Sequence, residues 1–383
     1  MDINAVKTNA QLVADEWKEQ VSERQQRTEL QEDDYNQLKS INIPLLGVPQ
    51  EFGGLWKDLQ TTGSSICEIL RILASGDPSV ALSSTMHQGV LSPWRVGTVP
   101  EEFQEQWNAQ KEEVFQTVIE GSWWGTIVSE PGSGGDSGLT KTATKLDSGL
   151  KYFMTGKKHF GSGSGRTSYM TTRAVPEGEE SPDIFFIKVK DIPWDGSQGI
   201  QLDNPWRGRG MRSTNSHAFT FTEFPATRIA WPGHSTELMA SNGGLGPVAF
   251  TSVITGVVDS AMAHCKTNLQ RILATSPKLK AFQEVHWTQA EQEYWLINQA
   301  MQTTLKTLED GTSDRYNSLM LKEAVANLAD SILNRLCKLT GGTAYTWYSP
   351  LGGWLEDVRA LGFLRPPWAL AYEQLFNMSI NEQ

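Results

Sequence analysis

The sequence has little cysteine, no clustered positive charge and no internal repeat. Its three cysteines, Cys67, Cys265 and Cys337, stand far apart, form no CxxC pair and leave one over in any disulfide scheme. A disulfide framework is therefore excluded, and the thiols are expected to be reduced and mostly buried. Basic residues are outnumbered, 33 Lys and Arg against 44 Asp and Glu, for a net charge of −11. Phosphate-backbone binding needs a clustered basic field, so no nucleic-acid partner is expected. The six histidines show no HxxxH or HExxH spacing, and no metal site is expected. The opening MDINAVKTNAQLVADEW lacks the apolar centre of a secretory leader, and no uninterrupted apolar run of bilayer length stands out. The expectation is a cytoplasmic chain with no membrane partner.

What is present is a long chain whose hydrophobic period changes twice. At 383 residues with 39% hydrophobic content, it can bury two or three cores. Up to about residue 120 the period is helical: Val6, Val13, Trp17 and Val21 share one face, as do Ile66, Ile69, Leu70 and Leu73. VPEEFQEQW adds a proline-started helix with acids in its first turn. From about 123 to 230 the period is two and the residues are Thr, Val, Phe and Tyr. TKTATKLDSGLKYFMTG reads as two strands joined at Asp147, Ser148 and Gly149, and DIFFIKV and SHAFTFTEF as two more. Beyond Pro232 the helical period returns over roughly 245–273, 283–309 and 314–339, the last carrying Val325, Leu328, Ile332 and Leu336 on one stripe. The predicted domains are 1–120, 121–232 and 233–383.

SEPGSGGD, at 129–136, ends a strand-like run with glycines and a proline that neither a helix nor a strand accommodates. It serves either as a tight turn or as a place where a ligand approaches the backbone. GSGSGR at 161–166 is followed by the strand-like TSYMTTRA, whereas a dinucleotide loop, or a nucleophile elbow, would open a helix.

Five stretches occur in one register: GVPQEFGG (47–54), IVSEPGSGGD (127–136), GKKHFGSGS (156–164), GMRSTNSHAFTF (210–221) and GGTAYTWYSPLGGWLEDVRA (341–360). In this order and setting the chain resembles the acyl-CoA dehydrogenase superfamily over nearly its whole length. The resemblance implies an α+β fold with an N-terminal helical domain, a central β-barrel and a C-terminal four-helix bundle. It also implies a bound flavin, with Val128, Ser129 and Gly135 against the polar edge of the ring and Phe160 and Ser162 covering a face. Read without the resemblance, Phe160 is a strand aromatic bound for the barrel core. For the cofactor tail the matching positions are Arg271, Lys338, Gly341 and Gly342, with FAD expected and FMN as the alternative. The family's partners imply a homodimer or homotetramer and a small-molecule acyl substrate.

Two departures bear on the activity. The family's usual base, a glutamate eight residues after Asp357, is replaced by Arg365, which stays protonated at any working pH. The other position used in the family, within SNGGLGPVAFTSVIT (241–255), holds no acid. The expectation is a flavin-dependent oxidoreductase acting on an acyl-CoA or similar carbonyl compound. The alternatives are the branch that uses reduced flavin and oxygen as a monooxygenase, and a non-catalytic acyl-binding relative. In the monooxygenase branch a histidine late in the N-terminal domain approaches the flavin, and His87 in SSTMHQGVL is the candidate catalytic residue; read from the residues alone, a lone histidine on a mostly apolar helix packs or caps.

Overall fold

Helix initiation follows the capping residues. In the computed structural model, which describes residues 2–95, 99–240, 244–276, 278–364 and 366–381, Asp2 accepts from the Asn4 N–H and starts α1 (Ile3–Glu19), whose Val6, Ala10, Val13 and Trp17 are buried. After the short α2 (Val21–Arg24) and α3 (Glu32–Ser40), Asp58 caps α4 (Leu59–Gly76). There Ile66, Ile69, Leu70 and Leu73 are fully buried, as the period predicts. Asp77 accepts from Ser79 and Val80 N–H to start α5 (Pro78–Val90), and α6 (Glu101–Ile119) begins after Pro100.

The sheet then runs through β1 (Trp124–Thr126), β2 (Ala143–Ser148), β3 (Lys151–Gly161), β4 (Tyr169–Pro176), β5 (Asp183–Lys188), β6 (Ile200–Asn204) and β7 (His217–Arg228). Its order β4-β2-β3-β7-β5 closes where β5 pairs with β4, making a barrel, while β1 extends from β4 and β6 from β7. Met154, Phe185, Phe219, Phe221 and Phe224 fill the interior. The β2–β3 turn is tighter than the sequence suggests: pairing continues to Ser148 opposite Lys151, and a register shift between Leu146 and Ser148 absorbs Asp147. β3 shifts register against β7 twice, and the second shift lies between Lys158 and Gly161. That irregularity shapes the candidate site.

The remaining helices are α7 (Ser235–Ala240), α8 (Leu245–Thr275), α9 (Ala281–Glu309), α10 (Arg315–Thr340), α11 (Leu351–Gly362) and α12 (Trp368–Asn381). Helices α8 to α11 form the bundle, with α12 beside α10. α4 lies against α8 so closely that a Cβ on Gly256 would sit 2.2 Å from the Arg71 carbonyl oxygen. Arg71 grips Asp259 with two bonds of 2.6 and 2.7 Å across the same contact. The N-terminal and C-terminal helices therefore share one core, running from Val6 to Leu361 in sequence. Leu245–Thr275 is long and apolar enough to cross a bilayer by length and composition, but Asp259 interrupts its apolar run and 78% of its most apolar stretch is buried inside the protein. Its apolar surface is satisfied by helices on several sides, which makes it a core helix.

Candidate functional site

SEPGSGGD folds as a braced loop. Ser133 Oγ donates to the Glu130 carbonyl and accepts from the Gly135 N–H, and Asp136 accepts from the Gly138 N–H. The acid in the motif is the loop's anchor: Glu130 accepts from Lys158 Nζ at 2.5 Å, from Thr140, and from the backbone N–H of Lys141 at 2.6 Å. Lys158 is fully buried and also donates to the Arg173 carbonyl at 2.6 Å. Burial by itself would raise the Glu130 carboxyl, but the bonds from Lys158 and Thr140 hold it down at about 2. The pair is a buried ion pair with its lone pairs filled, which fixes the loop against the barrel.

The loop's far side touches the C-terminal segment. Gly135 has φ +88°, and a Cβ there would come 2.4 Å from Pro367. Both the left-handed backbone and the contact require glycine. Lys322, fully buried in α10, donates to the Gly362 carbonyl at 3.2 Å and the Pro366 carbonyl at 2.8 Å and pairs with Glu323. The turn after α11 is thus tied down on either side of Arg365, which itself lies outside the described residues.

At the barrel edge, Val128 and Ser129 follow β1, and the His159 N–H donates to the Ser129 carbonyl at 2.8 Å. This bridge sets Ser129 beside Phe160, which occupies the β3 bulge at φ +59°. A left-handed phenylalanine costs about 1–2 kcal/mol, and such strain is characteristic of ligand-contacting positions. Its ring is not in the barrel core but 57% exposed, with the Trp206 ring edge-on at 6.1 Å. Ser162 is buried and its hydroxyl meets that of Ser216 at 2.8 Å. Val128, Ser129, Phe160 and Ser162 therefore lie close along one edge, held by the Ser129–His159 bridge, whereas Gly135 lies on the far side of the loop against Pro367. An exposed aromatic beside a strand end and a glycine loop is a surface on which a planar ring can lie with its polar rim on backbone groups.

The other expected residues lie elsewhere in the chain. Arg271, Lys338, Gly341 and Gly342 are exposed on the bundle, Arg271 near the end of α8 and Lys338 near that of α10. His87, the candidate for proton transfer, has both ring nitrogens bonded to backbone. It is fully buried in α5, its Nδ1 accepts from the Trp124 N–H at 2.9 Å, and its Nε2 therefore carries the proton donated to the Pro44 carbonyl at 3.1 Å. Burial pushes its pKa down to about 4. With both nitrogens engaged by backbone, the ring joins α5 to β1 and packs edge-on to Trp123.

Sequence reasoning missed Trp206, Lys158, Thr214 and Ser216. Thr214 and Ser216 lay inside the quoted GMRSTNSHAFTF, but nothing in the pattern showed that their hydroxyls meet. Lys158 had a legible signal, a lysine two positions from Phe160 in a strand whose alternate residues face inward. The loop carrying Trp206 is docked on α11: the Met211 N–H donates to Asp357 at 2.6 Å, and a Cβ on Gly210 would lie 2.0 Å from the Glu356 carbonyl oxygen. Burial raises the Asp357 carboxyl to about 7.

No family model matches the chain. Among curated proteins, it is 26% identical to a dibenzothiophene monooxygenase of Mycolicibacterium goodii over 256 residues, 64% of this chain and only 58% of that enzyme. It is 23% identical to the acyl-CoA dehydrogenase-like protein YdbM of Bacillus subtilis (strain 168) over 381 residues, 93% of this chain and 91% of YdbM. Among solved structures, FMN-bound TdsC from Paenibacillus sp. A11-2 superposes with a TM-score of 0.80 at 18% identity, covering 99% of this chain and 98% of TdsC. Butyryl-CoA dehydrogenase from Megasphaera elsdenii gives 0.81 at 15% identity, covering 99% and 98%. The fold is that of these proteins.

Proposed function

We propose that this chain, a divergent member of the acyl-CoA dehydrogenase superfamily, is a flavin-dependent monooxygenase that takes reduced flavin and oxygen and oxidises a small organic molecule at sulfur, nitrogen or carbon. The observation that carries the flavin is Phe160, strained and exposed beside Ser129 and above buried Ser162. Within the family, the choice of monooxygenase rests on the sequence: neither position at which relatives carry the base has an acid, with Arg365 at one and SNGGLGPVAFTSVIT at the other. The dibenzothiophene monooxygenase relative supports it, as does the likeness to an FMN-bound structure, which favours FMN over FAD.

A flavin bound at this edge supplies the two-electron chemistry, and the chain supplies position and polarity. Phe160 and Trp206 would give it an apolar surface and the Val128 and Ser129 backbone would meet its polar groups, while the Glu130–Lys158 pair holds the neighbouring loop in place. His87 ties α5 to β1 through the bond from the Trp124 N–H and to the turn at Pro44 through its other nitrogen.

A second reading, acyl-CoA dehydrogenation, is favoured by the nearly full-length match to YdbM. An anaerobic titration of the flavin-loaded protein with short, medium and branched acyl-CoA thioesters separates the two. Bleaching without added reductant would establish the dehydrogenase. No bleaching, together with oxygen-dependent product from separately reduced flavin and an organosulfur panel, is the expected result.

A homodimer or homotetramer is also proposed. Trp295, Trp347, Tyr348 and Phe376 are all more than half exposed on the C-terminal part, a surface that a monomer seldom leaves open. Light scattering on the purified protein tests it.

A further inference from the structure

A cleft of about 390 Å³ lies between α3, the segments leading into β1 and β4, and the turn after β5. That volume suits a small organic molecule, and the cleft shares no lining residue with the edge formed by Val128, Ser129, Phe160 and Ser162. Its floor is aromatic: Tyr35 and Trp123 are buried, with their rings edge-on at 4.9 Å. Trp194 forms a wall and is held by edge-on contacts with His217 at 5.5 Å and Phe219 at 5.3 Å. The turn that carries it is pinned. The Ser168 carbonyl accepts from the N–H groups of both Val189 and Lys190, at 2.9 and 3.2 Å, Asp191 adopts a left-handed φ of +62°, and the Trp194 carbonyl accepts from the Leu202 N–H at 2.9 Å. The cleft is therefore formed before any ligand arrives.

Its charged groups are mostly cationic, in a chain of net charge −11. Lys39, Arg166 and Lys190 line it against two acids, Glu32 and Asp191. Glu32 is drawn to Arg166, whose Nη1 lies 3.5 Å from it and whose Nε donates to the Leu30 carbonyl at 3.0 Å. Among the described residues Asp191 is then the cleft acid without a partner, against two such lysines. Lys39 reaches over Gly121, its Nζ 3.6 Å from where a Cβ there would stand. The Tyr35 hydroxyl is bonded to Ser83, while the buried Trp123 indole N–H has no acceptor among the described residues. We propose that this cleft binds an aromatic carboxylic acid, its ring against Trp194 and over the Tyr35–Trp123 floor, its carboxylate drawn by Lys39 and Lys190. A planar body suits aromatic walls, because ring-on-ring contact adds to the area it buries, and the excess of cations selects the anion.

The test is calorimetry of the full-length protein at neutral pH, with and without excess FMN, using 2-naphthoate, 2-naphthol and 2-naphthylmethylamine, one ring carrying a negative, a neutral and a positive group. The acid is expected to bind about tenfold tighter than the alcohol, with the amine weakest. Lys39→Gln and Lys190→Gln should each weaken the acid by about fivefold, and the double variant Lys39→Glu, Lys190→Glu should erase its advantage over the alcohol. Both lysines are exposed, so these variants should fold, and melting temperatures check that they do. Trp194→Leu should weaken acid and alcohol alike, and Phe160→Ala should leave 2-naphthoate binding unchanged. No binding of 2-naphthoate, equal binding of acid and alcohol, or a preference that survives the double charge reversal in a folded variant overturns the proposal. Loss of 2-naphthoate binding in Phe160→Ala, or its displacement by FMN, moves the ligand to the flavin edge and overturns it as well. None of these results bears against the flavin reading, which the acyl-CoA titration tests separately.

Discussion

Replacing Lys158 by methionine would remove the cation from beneath the SEPGSGGD loop and leave Glu130, whose side chain is 5% exposed, without its charge partner. Breaking a buried ion pair from one side costs about 3–5 kcal/mol, because the remaining charge stays buried. Glu130 would keep the bond from Thr140 and the backbone donors of Lys141 and Thr142, so the lower end, about 3 kcal/mol, is expected. For a chain of this size that is a fall of about 6 °C in melting temperature at about 2 °C per kcal/mol. The assay is a thermal melt at neutral pH of Lys158→Met, Glu130→Gln and the double variant. The double variant buries no unpaired charge and should recover more than half of the loss, a coupling that additive effects cannot produce. Reduced-flavin affinity should fall with the single change, since the loop loses its anchor. A Lys158→Met melt within about 2 °C of the parent, or a double variant no more stable than the single one, would refute the reasoning.

Three further outcomes are expected. Phe160→Gly should melt at or above the parent, by up to about 2 °C, because it relieves the left-handed strain, yet lose flavin affinity with the ring, whereas Phe160→Ala loses the ring and keeps the strain; parallel changes in both properties would contradict the role given to Phe160. Gly135→Ala should cost about 1–2 kcal/mol through its positive φ and displace the loop from Pro367, read as a lower denaturation midpoint and weaker flavin binding. His87 is held neutral, its pKa lowered from 6.5 to about 4 by burial, so the unfolded chain takes up its proton first as pH falls. The stability His87 contributes is whole above about pH 6.5 and is lost toward pH 4, by about 3 kcal/mol; urea midpoints across that window should slope less in His87→Gln, and an unchanged slope would remove the assignment.

The alternation of periods fixed the order helices, barrel, helices, since a 3.6-residue stripe and a two-residue alternation can each bury only one kind of face. Ile66, Ile69, Leu70 and Leu73, and the strands around DIFFIKV, were legible for that reason. The glycine loop and the HFGSG stretch were legible as unusual, because glycines and a proline at such spacing cannot extend regular structure. Local sequence did not determine which side of the barrel Phe160 faces: the bulge between Lys158 and Gly161 arises from pairing β3 with β7, about sixty residues away in sequence. The partners of His87 were decided the same way, for a lone histidine on an apolar helix reads either as packing or as a base, and only the fold shows Pro44 and Trp124 occupying both its nitrogens. Nor could spacing show that Lys158 meets Glu130, that Lys322 holds the turn after α11, or that three hydroxyls line up beneath Phe160. Such contacts join residues that are distant along the chain or turned together by a loop, so the sequence supplied the chemical groups and the tertiary structure decided their directions and partners.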